Sequence, residues 1–334
     1  MPRAVVAGAS GFLGVAVCVA LETDGFDVVR IGRREAITWN DPGGIAAAVD
    51  GADVVVNFSG KSVNCRYTDA NRDEILRSRV ETTATLRRAI SAAAEPPRVW
   101  LNASTATIYA HAMDEPHTEA GGRIGEGFSV DVARNWEREL FAGDLPRTRR
   151  VALRMAIVLG EGPATRLLLT LARGGLGGPQ HDGPWFPHRR YRGIGPDPSG
   201  PEVGPPVHRT RGHQKFSWIH LDDVVGAIRF LIERDDIDGP VNLASPRPSD
   251  NAELMRTLRR AVRMPIGIPS WRWMLEPAMW LLRTEPELVL KSRWVIPGVL
   301  DDAGYTFSHP DLVDAVDAVV AQEALERQAP RTAS

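Results

Sequence analysis

The residues near the start of the chain have the types and spacing needed to bind phosphate. Gly8, Gly11 and Gly14 stand between the apolar run Ala4 to Ala7 and a second apolar segment. A strand, a glycine turn and a helix in this order form a cradle for a dinucleotide pyrophosphate. Backbone can approach phosphate where no Cβ intervenes, and a helix N-terminus offers free N–H groups and a positive dipole end. We therefore expect cofactor contacts from Gly8, Ser10, Gly11, Phe12, Leu13 and Gly14.

Two arginines further on indicate which dinucleotide is bound. In dinucleotide-binding folds the residue that ends the second strand meets the adenosine ribose, and Asp or Glu there favours NAD. Here that position reads Gly32-Arg33-Arg34, with no carboxylate before Glu35. Both arginines can bind a 2′-phosphate as a fork, and Ser10 can donate to it. The sequence predicts NADP(H); a solvated arginine pair at the end of a strand is the alternative.

The elements that must position these residues alternate between strand and helix. Such alternation predicts an α/β fold, a Rossmann-type doubly wound parallel sheet that binds ligands outside the carboxyl ends of its strands. Continuous apolar runs are typical of parallel strands buried on both faces. Beyond the first strand, further strands are predicted over 26–31, 52–57, 98–103, 150–156 and 241–243, with helices over 12–22, near 69–94 and near 130–141.

The segment over residues 179–213 breaks this alternation. It is dense in Pro and Gly, which predicts a long loop, partly disordered or forming a lid. We expect an NADP-binding domain over 1–178, this insertion, a return to the sheet over 214–248, and a small, mainly helical domain on the substrate side over 249–334. The spacing of His181, His188 and His213 fits no ligand template, so no metal is predicted.

Composition excludes several classes of protein. The 334 residues are 43% hydrophobic and 25% charged, with a net charge of −2 that gives no reason to expect nucleic acid or an anionic membrane as partner. The two cysteines form no disulfide framework or metal cluster, and Cys18 is expected to be a buried thiol.

No signal segment or membrane span is evident, so the predicted location is cytoplasmic. A small-molecule substrate is the expected partner, and a homodimer is left open.

Five further segments complete a set of motifs along the whole chain. They are Asn57-Phe58-Ser59-Gly60, Asn102-Ala103-Ser104-Thr105, Arg154 with Val158-Leu159-Gly160, Trp218-Ile219-His220-Leu221-Asp222-Asp223, and Ser78-Arg79 with Trp136-Glu137. With the glycine turn, they make the chain resemble the extended branch of the short-chain dehydrogenase/reductase superfamily. It is most similar to epimerase family proteins, which end in a short domain of unknown function. The resemblance implies cofactor contacts at Ser59, Gly60 and Ala103.

The resemblance also implies a catalytic Tyr-x-x-x-Lys pair that works with a Ser or Thr. The lysine lowers the tyrosine pKa, and the tyrosine exchanges a proton with the substrate oxygen while hydride moves to or from the cofactor. Here the expected positions hold Ser129 and Ala133, and none of the three lysines follows a tyrosine by four residues. We therefore expect Ser104, at the position of the catalytic Ser or Thr, and Tyr109 to be the catalytic residues.

Three interpretations stay open. The first is an NADP(H)-dependent enzyme that reduces, oxidises or epimerises a small carbonyl or hydroxyl compound, with a proton donor other than the usual dyad. The second is a cofactor-binding sensor or scaffold with little or no activity. The third is a non-redox isomerase, dehydratase or cyclase, for which Lys61, Arg66 and His111 are the polar candidates. His220 is expected to anchor the helix that follows it, and Asn242 to be a buried amide at the end of a strand.

Overall fold

A six-stranded parallel sheet forms the centre of the protein. The computed structural model describes residues 1–186, 188–199, 208–281 and 290–328. The strands of the sheet are β1 (Arg3–Ala7), β2 (Asp27–Ile31), β3 (Val54–Asn57), β4 (Val99–Thr105), β5 (Arg149–Met155) and β10 (Gly239–Leu243). Their order in the sheet is β10-β5-β4-β3-β1-β2. The doubly wound sheet predicted from the sequence is confirmed.

Helices cover both faces of this sheet and bury its apolar strands. Helices α1 (Phe12–Thr23) and α6 (Leu221–Glu233) contribute to the apolar core on one face. Helices α2 (Pro42–Val49), α3 (Asp69–Ala92) and α4 (Phe128–Leu140) contribute to the core on the other face. The three valines of β3 are fully buried because helices lie on both sides of them.

The later part of the chain adds short strands and further helices. The helices are α5 (Pro163–Arg173), α7 (Asn251–Ala261), α8 (Arg272–Leu281), α9 (Gly298–Asp302) and α10 (Leu312–Gln328). The short strands are β6 (Ile157–Leu159), β7 (Gln180–His181), β8 (Lys215–Phe216), β9 (Trp218–His220), β11 (Ser249–Asp250) and β12 (Ser270–Trp271). Helices α5, α7 and α10 share one apolar cluster. Within the described ranges, no helix is both long and apolar enough to cross a membrane.

The Pro- and Gly-rich insertion is tied to the rest of the fold where it is described. Strand β7, near its start, pairs with β12. The buried carboxylate of Asp131 on α4 accepts hydrogen bonds from the backbone N–H groups of Ile194 and Ser199, at 2.9 and 2.8 Å. Residues 187 and 200–207 lie outside the described residues, as do 282–289 and 329–334 of the predicted C-terminal domain. The boundaries between the four predicted segments stay predictions.

Two helices were not predicted from the sequence. Both α2 and α5 begin with proline at the first helical turn, where the missing N–H is no loss. Asp41 caps α2 by accepting a hydrogen bond from the N–H of Gly44 at 2.8 Å. Glycines within the first turn of α2 weaken its helical pattern, so the Asp-Pro start is the signal that would have identified it.

His220 caps helix α6, as expected from the sequence. Its Nδ1 accepts a hydrogen bond from the N–H of Asp222 at 3.2 Å. Burial lowers the pKa of His220, and the neighbouring His309 lowers it further, against the opposing charges of Asp222 and Asp314. Neutral His220 therefore suits both the buried position and the cap, because a protonated Nδ1 could not accept the hydrogen bond.

We predict that His220→Asn makes the protein less sensitive to acid. Asn keeps an acceptor for the cap but does not titrate. In the wild type, the unfolded chain takes up a proton near pH 6.5 and the folded chain only at lower pH, so the free energy of unfolding decreases as the pH falls. Urea unfolding at pH 7 and pH 5 should show a decrease about 1–2 kcal/mol smaller in the variant. Equal decreases in the two proteins would contradict this account.

Candidate functional site

The glycine turn forms a tight cradle between β1 and α1. Gly8 has a φ of +77°, and a Cβ there would lie 2.9 Å from the backbone carbon of Phe58. A Cβ on Gly14 would overlap the carbonyl oxygen of Gly8. Gly11 is the N-cap of α1, and it has no side chain that could accept a hydrogen bond from the first N–H groups of the helix. The turn therefore fits an incoming pyrophosphate.

Polar groups without protein partners surround this cradle. The buried Ser59 Oγ has no hydrogen-bond partner among the described residues. Ser10 is exposed at the turn, and Arg33 and Arg34 are exposed just beyond β2. Among the described residues, no carboxylate lies within ion-pair distance of Arg33 or Arg34. Both guanidinium groups are therefore available to a 2′-phosphate. These features fit the predicted NADP(H), with each residue's contact still a prediction.

A cavity of about 310 Å³ lies next to the turn, at the carboxyl ends of β4 and β5. Its wall is formed by segments from distant parts of the sequence. Of the site residues predicted from the sequence, three are among the described residues that line the cavity: Leu13, Ala103 and Ser104. Thr107, Ser129 and Arg293 also line it. The cavity thus brings the predicted catalytic serine and part of the glycine turn together.

The hydroxyl group of Ser104 is hydrogen-bonded to a buried ion pair. Its hydroxyl donates to Oε1 of Glu137 at 2.6 Å. Arg154 donates to both oxygens of the same carboxylate, from Nε at 2.9 Å and from Nη2 at 2.7 Å. Burial alone would lower the pKa of Arg154, but the hydrogen bond and charge of Glu137 outweigh it and raise that pKa. The pair fixes the Ser104 proton on the Glu137 side.

Tyr109 lies behind this pair rather than in the cavity wall. Its hydroxyl accepts from Nη1 of Arg154 at 2.9 Å and donates to Oδ1 of Asn242 at 2.9 Å. The residue is 1% exposed, and it is not among the cavity-lining residues of the described chain. Burial raises the pKa of Tyr109. This placement does not fit the expectation that Tyr109 donates a proton directly to substrate, because both functions of its hydroxyl are already used.

The two positions expected to hold the dyad have different environments. Ser129 lines the cavity, whereas Ala133 is fully buried in the core. Sequence reasoning included Glu137 and Arg154 in the motifs but assigned neither to the site. A signal was present, because Arg154 follows three apolar residues of a buried parallel strand. A charge at such a position requires a buried counter-charge.

The three polar candidates for non-redox chemistry lie elsewhere. Lys61 pairs with Glu74, and Arg66 donates from Nε to the carbonyl of Trp280 at 3.3 Å. His111 stacks on a second histidine, with ring centres 3.4 Å apart. Burial, that histidine and a nearby lysine lower the pKa of His111 to about 4. Since none of the three is among the described lining residues, the cavity does not support their proposed role.

One group of three residues in the described ranges could in principle hold a metal: His220, Asp222 and His309. One nitrogen of each ring already has a partner, because Nδ1 of His220 caps α6 and Nδ1 of His309 lies 2.6 Å from a carboxylate oxygen of Asp314. Asp223 next to them accepts the backbone N–H of His309 at 3.0 Å. These contacts join α6 to the segment before α10.

Family models match both ends of the chain. Residues 4–123 match the NAD dependent epimerase/dehydratase family, and residues 272–319 match a domain of unknown function, DUF1731. The chain is similar to the epimerase family protein SDR39U1 of Bos taurus, with 30% identity over 329 residues that cover 96% of this chain and all of that protein.

Solved structures are also similar to this chain. The human epimerase family protein SDR39U1 (isoform 2), crystallised with NADPH, has a TM-score of 0.79 and 27% identity, with 96% of this chain and 99% of that chain covered. UDP-glucose 4-epimerase of Thermotoga maritima, with UDP-glucose, has a TM-score of 0.72 and 13% identity, with 98% and 100% covered. The second likeness concerns the fold alone.

We predict that Glu137→Gln destabilises the protein by roughly 2–4 kcal/mol, because it leaves Arg154 buried without a counter-charge. Chemical denaturation at pH 7 measures this loss. Glu139→Gln on the same helix is the control: its pair with Arg87 is partly exposed, so we expect a loss below about 1 kcal/mol. The double variant Glu137→Gln/Arg154→Gln should recover part of the stability. Equal losses in Glu137→Gln and Glu139→Gln would contradict the importance of the buried pair.

Proposed function

This chain belongs to the epimerase family, and we propose that it is an NADP(H)-dependent oxidoreductase for a small carbonyl or hydroxyl compound. The observation that carries the proposal is the hydrogen bond between Ser104 and Glu137 on the wall of a cavity next to the glycine turn. Oxidation, reduction and epimerisation all require a group that holds or releases a proton at the substrate oxygen. Ser104, supported by Glu137 and Arg154, provides that group without a Tyr-x-x-x-Lys pair.

The proposed cofactor is NADP(H). Two observations support this: the human relative with 27% identity was crystallised with NADPH, and Arg33 and Arg34 are exposed just beyond β2, the strand whose end meets the adenosine ribose in dinucleotide-binding folds. No acidic residue occupies the end of β2 to repel that phosphate. The proposed contacts are from Gly8, Ser10, Gly11, Phe12, Leu13, Gly14, Arg33, Arg34, Ser59, Gly60 and Ala103.

The cofactor, when bound, supplies or accepts the hydride. Ser104 moves the accompanying proton. Because its own hydrogen is donated to Glu137 at 2.6 Å, its oxygen can accept a hydrogen bond from a substrate hydroxyl. In the oxidation direction the proton passes from the substrate oxygen to Ser104, while the Ser104 proton passes to Glu137. Reduction reverses both transfers.

Arg154 and Tyr109 have positioning functions in this proposal. Arg154 contacts both carboxylate oxygens, which fixes the plane of the Glu137 carboxylate. Tyr109 bonds the remaining side of the guanidinium and is itself bound by Asn242. Neither is required to touch the substrate. The apolar surroundings strengthen the hydrogen bonds between these groups.

We predict that the protein binds NADPH at least about tenfold more tightly than NADH, since each charge-assisted bond to the 2′-phosphate contributes about 1.5 kcal/mol or more. Arg33→Ala/Arg34→Ala should remove most of that preference and leave the NADH affinity nearly unchanged. Fluorescence titration of the wild type and of the double variant with NADPH and with NADH measures the four dissociation constants. NADH affinity serves as the internal control, and tighter binding of NADH by the wild type would refute the assignment.

We predict that Ser104→Ala lowers the rate of hydride transfer by about 10²-fold or more. Ser129→Ala is the matched control, since Ser129 lines the same cavity but has no hydrogen bond to Glu137; its effect should be below about tenfold. Tyr109→Phe should also cost less than about tenfold, because Tyr109 only positions Arg154. The measurement is transfer of deuterium from C4-labelled NADPH across a panel of small carbonyl compounds.

Two outcomes would contradict the proposal. If Ser129→Ala or Tyr109→Phe loses more activity than Ser104→Ala, the proton passes through another hydroxyl. If cofactor binds but no label is transferred to any compound of a broad panel, the protein is not an oxidoreductase, and a sensing or scaffold function is favoured.

A further inference from the structure

We propose that the substrate carries a small oxyanion, a carboxylate or phosphate group, that is bound by Arg79 in the wall of the Ser104 cavity. The inference rests on the proposed function, because it assigns the substrate class of the same site. It follows from the environment of Arg79, from the charges in the cavity wall and from the size of the cavity. The hydride-transfer chemistry requires none of these features.

The Arg79 guanidinium is only partly bonded by the protein. Its Nη1 donates to the carbonyl oxygens of Lys61 and Ile75, each at 3.0 Å. Its Cζ lies 5.0 Å from the ring centre of Trp136. Among the described residues, no hydrogen-bond acceptor contacts Nε or Nη2. These two nitrogens form the edge that binds a carboxylate or phosphate through two parallel hydrogen bonds.

No carboxylate compensates the charge of Arg79 in the described ranges. Two buried arginines of this protein are compensated by carboxylates: Arg154 pairs with Glu137, and Arg272 pairs with Asp182 at 2.9 Å. Burial lowers the pKa of the Arg79 guanidinium to about 10. Arg79 is partly buried. A cation withdrawn from water without an anion is costly, so proteins rarely retain one unless a ligand supplies the missing charge.

The other charged residue of the described cavity wall is also an arginine. Arg293 also lines the cavity, is 6% exposed and is fixed by its backbone, whose N–H donates to the carbonyl of Lys215 at 2.8 Å. No Asp or Glu is among the described lining residues. The remaining lining is mainly apolar, with hydroxyl groups such as Ser104 and Ser129. Arg79, a cation with no counter-charge among the described residues, in a wall whose described part is mainly apolar, favours an organic anion over a neutral compound.

The size of the cavity limits the anion to a compact one. About 310 Å³ lies at the lower end of the range for small-molecule sites. A short organic acid or a small phosphate ester fits this volume better than a long or branched ligand. The substrate class inferred is therefore a small hydroxy or oxo compound with one such acidic group.

The test is calorimetric titration of the NADPH-saturated protein with malonate, inorganic phosphate and the neutral analogue malonamide. We expect saturable binding of malonate or phosphate, and none of malonamide at the same concentrations. Arg79→Gln should weaken that binding about tenfold or more, because a charge-assisted pair contributes about 1.5–3 kcal/mol. Whichever of malonate and phosphate binds more tightly identifies the carboxylate or the phosphate as the natural group.

Arg77→Gln is the matched control, since Arg77 is on the same helix but exposed and paired with Asp73 at 2.9 Å. It should leave anion and NADPH affinities within about twofold of the wild type, as solvent-exposed pairs contribute little. Arg79→Lys keeps the charge without the fork and should have an intermediate affinity for the anion. That variant replaces Arg79→Gln if the latter does not fold.

The inference is overturned if neither anion binds more tightly than malonamide. It is also overturned if Arg79→Gln weakens NADPH and leaves anion binding unchanged, because Arg79 would then serve the cofactor. These measurements involve no turnover, so their result is separate from that of hydride transfer. Anion binding without hydride transfer would contradict the proposed reaction but would still support an anion site at Arg79.

Discussion

The buried ion pair between Glu137 and Arg154 links the sheet to the helix that lines the cavity. Arg154 belongs to β5 and Glu137 to α4, so their two hydrogen bonds hold these elements in register at the carboxyl end of the sheet. Removing either partner would leave an unpaired charge in an apolar interior, so the loss of one residue alone is strongly destabilising. Ser104 and Tyr109 both bond to it, and their orientations follow from its geometry. In the proposed function, the chemistry depends on this pair in the way that a dyad enzyme depends on its lysine.

The C-terminal part of the chain completes the same region. Arg293 lines the cavity, and Asn242 of β10 binds both the Tyr109 hydroxyl and the carbonyl of Ile296, at 2.9 and 3.0 Å. The matched segments at the two ends of the chain therefore meet close to one network of buried polar groups. A cavity with a serine, a buried carboxylate behind it and cations in its wall differs from one built around a tyrosine and a lysine. That difference is the basis for proposing a distinct proton path and an acidic substrate.

The fold and the cradle for the cofactor could be predicted from the sequence because their signals are local. A glycine turn between two apolar segments and the alternation of strands and helices are read from neighbouring residues. The candidate catalytic site was predicted only in part. Ser104 lines the cavity as expected, but Tyr109 was assigned to it from sequence distance, and the side chain is held behind the cavity by Arg154 and Asn242. The contact of Glu137 with Ser104 joins residues far apart in the sequence, and no local pattern encodes it. Nor does any local pattern show that Arg79 has no counter-charge among the described residues.

The central claim is that Ser104, oriented by Glu137, handles the proton at the substrate oxygen. A crystal structure of the protein with NADPH tests it most directly, because the position of the nicotinamide C4 identifies the hydroxyl group beside it. The account predicts that Ser104 Oγ is the side-chain hydroxyl nearest to the space in front of C4, with its hydrogen bond to Glu137 intact. A nicotinamide ring placed against Ser129, with Ser104 turned away or separated from Glu137, would contradict the account.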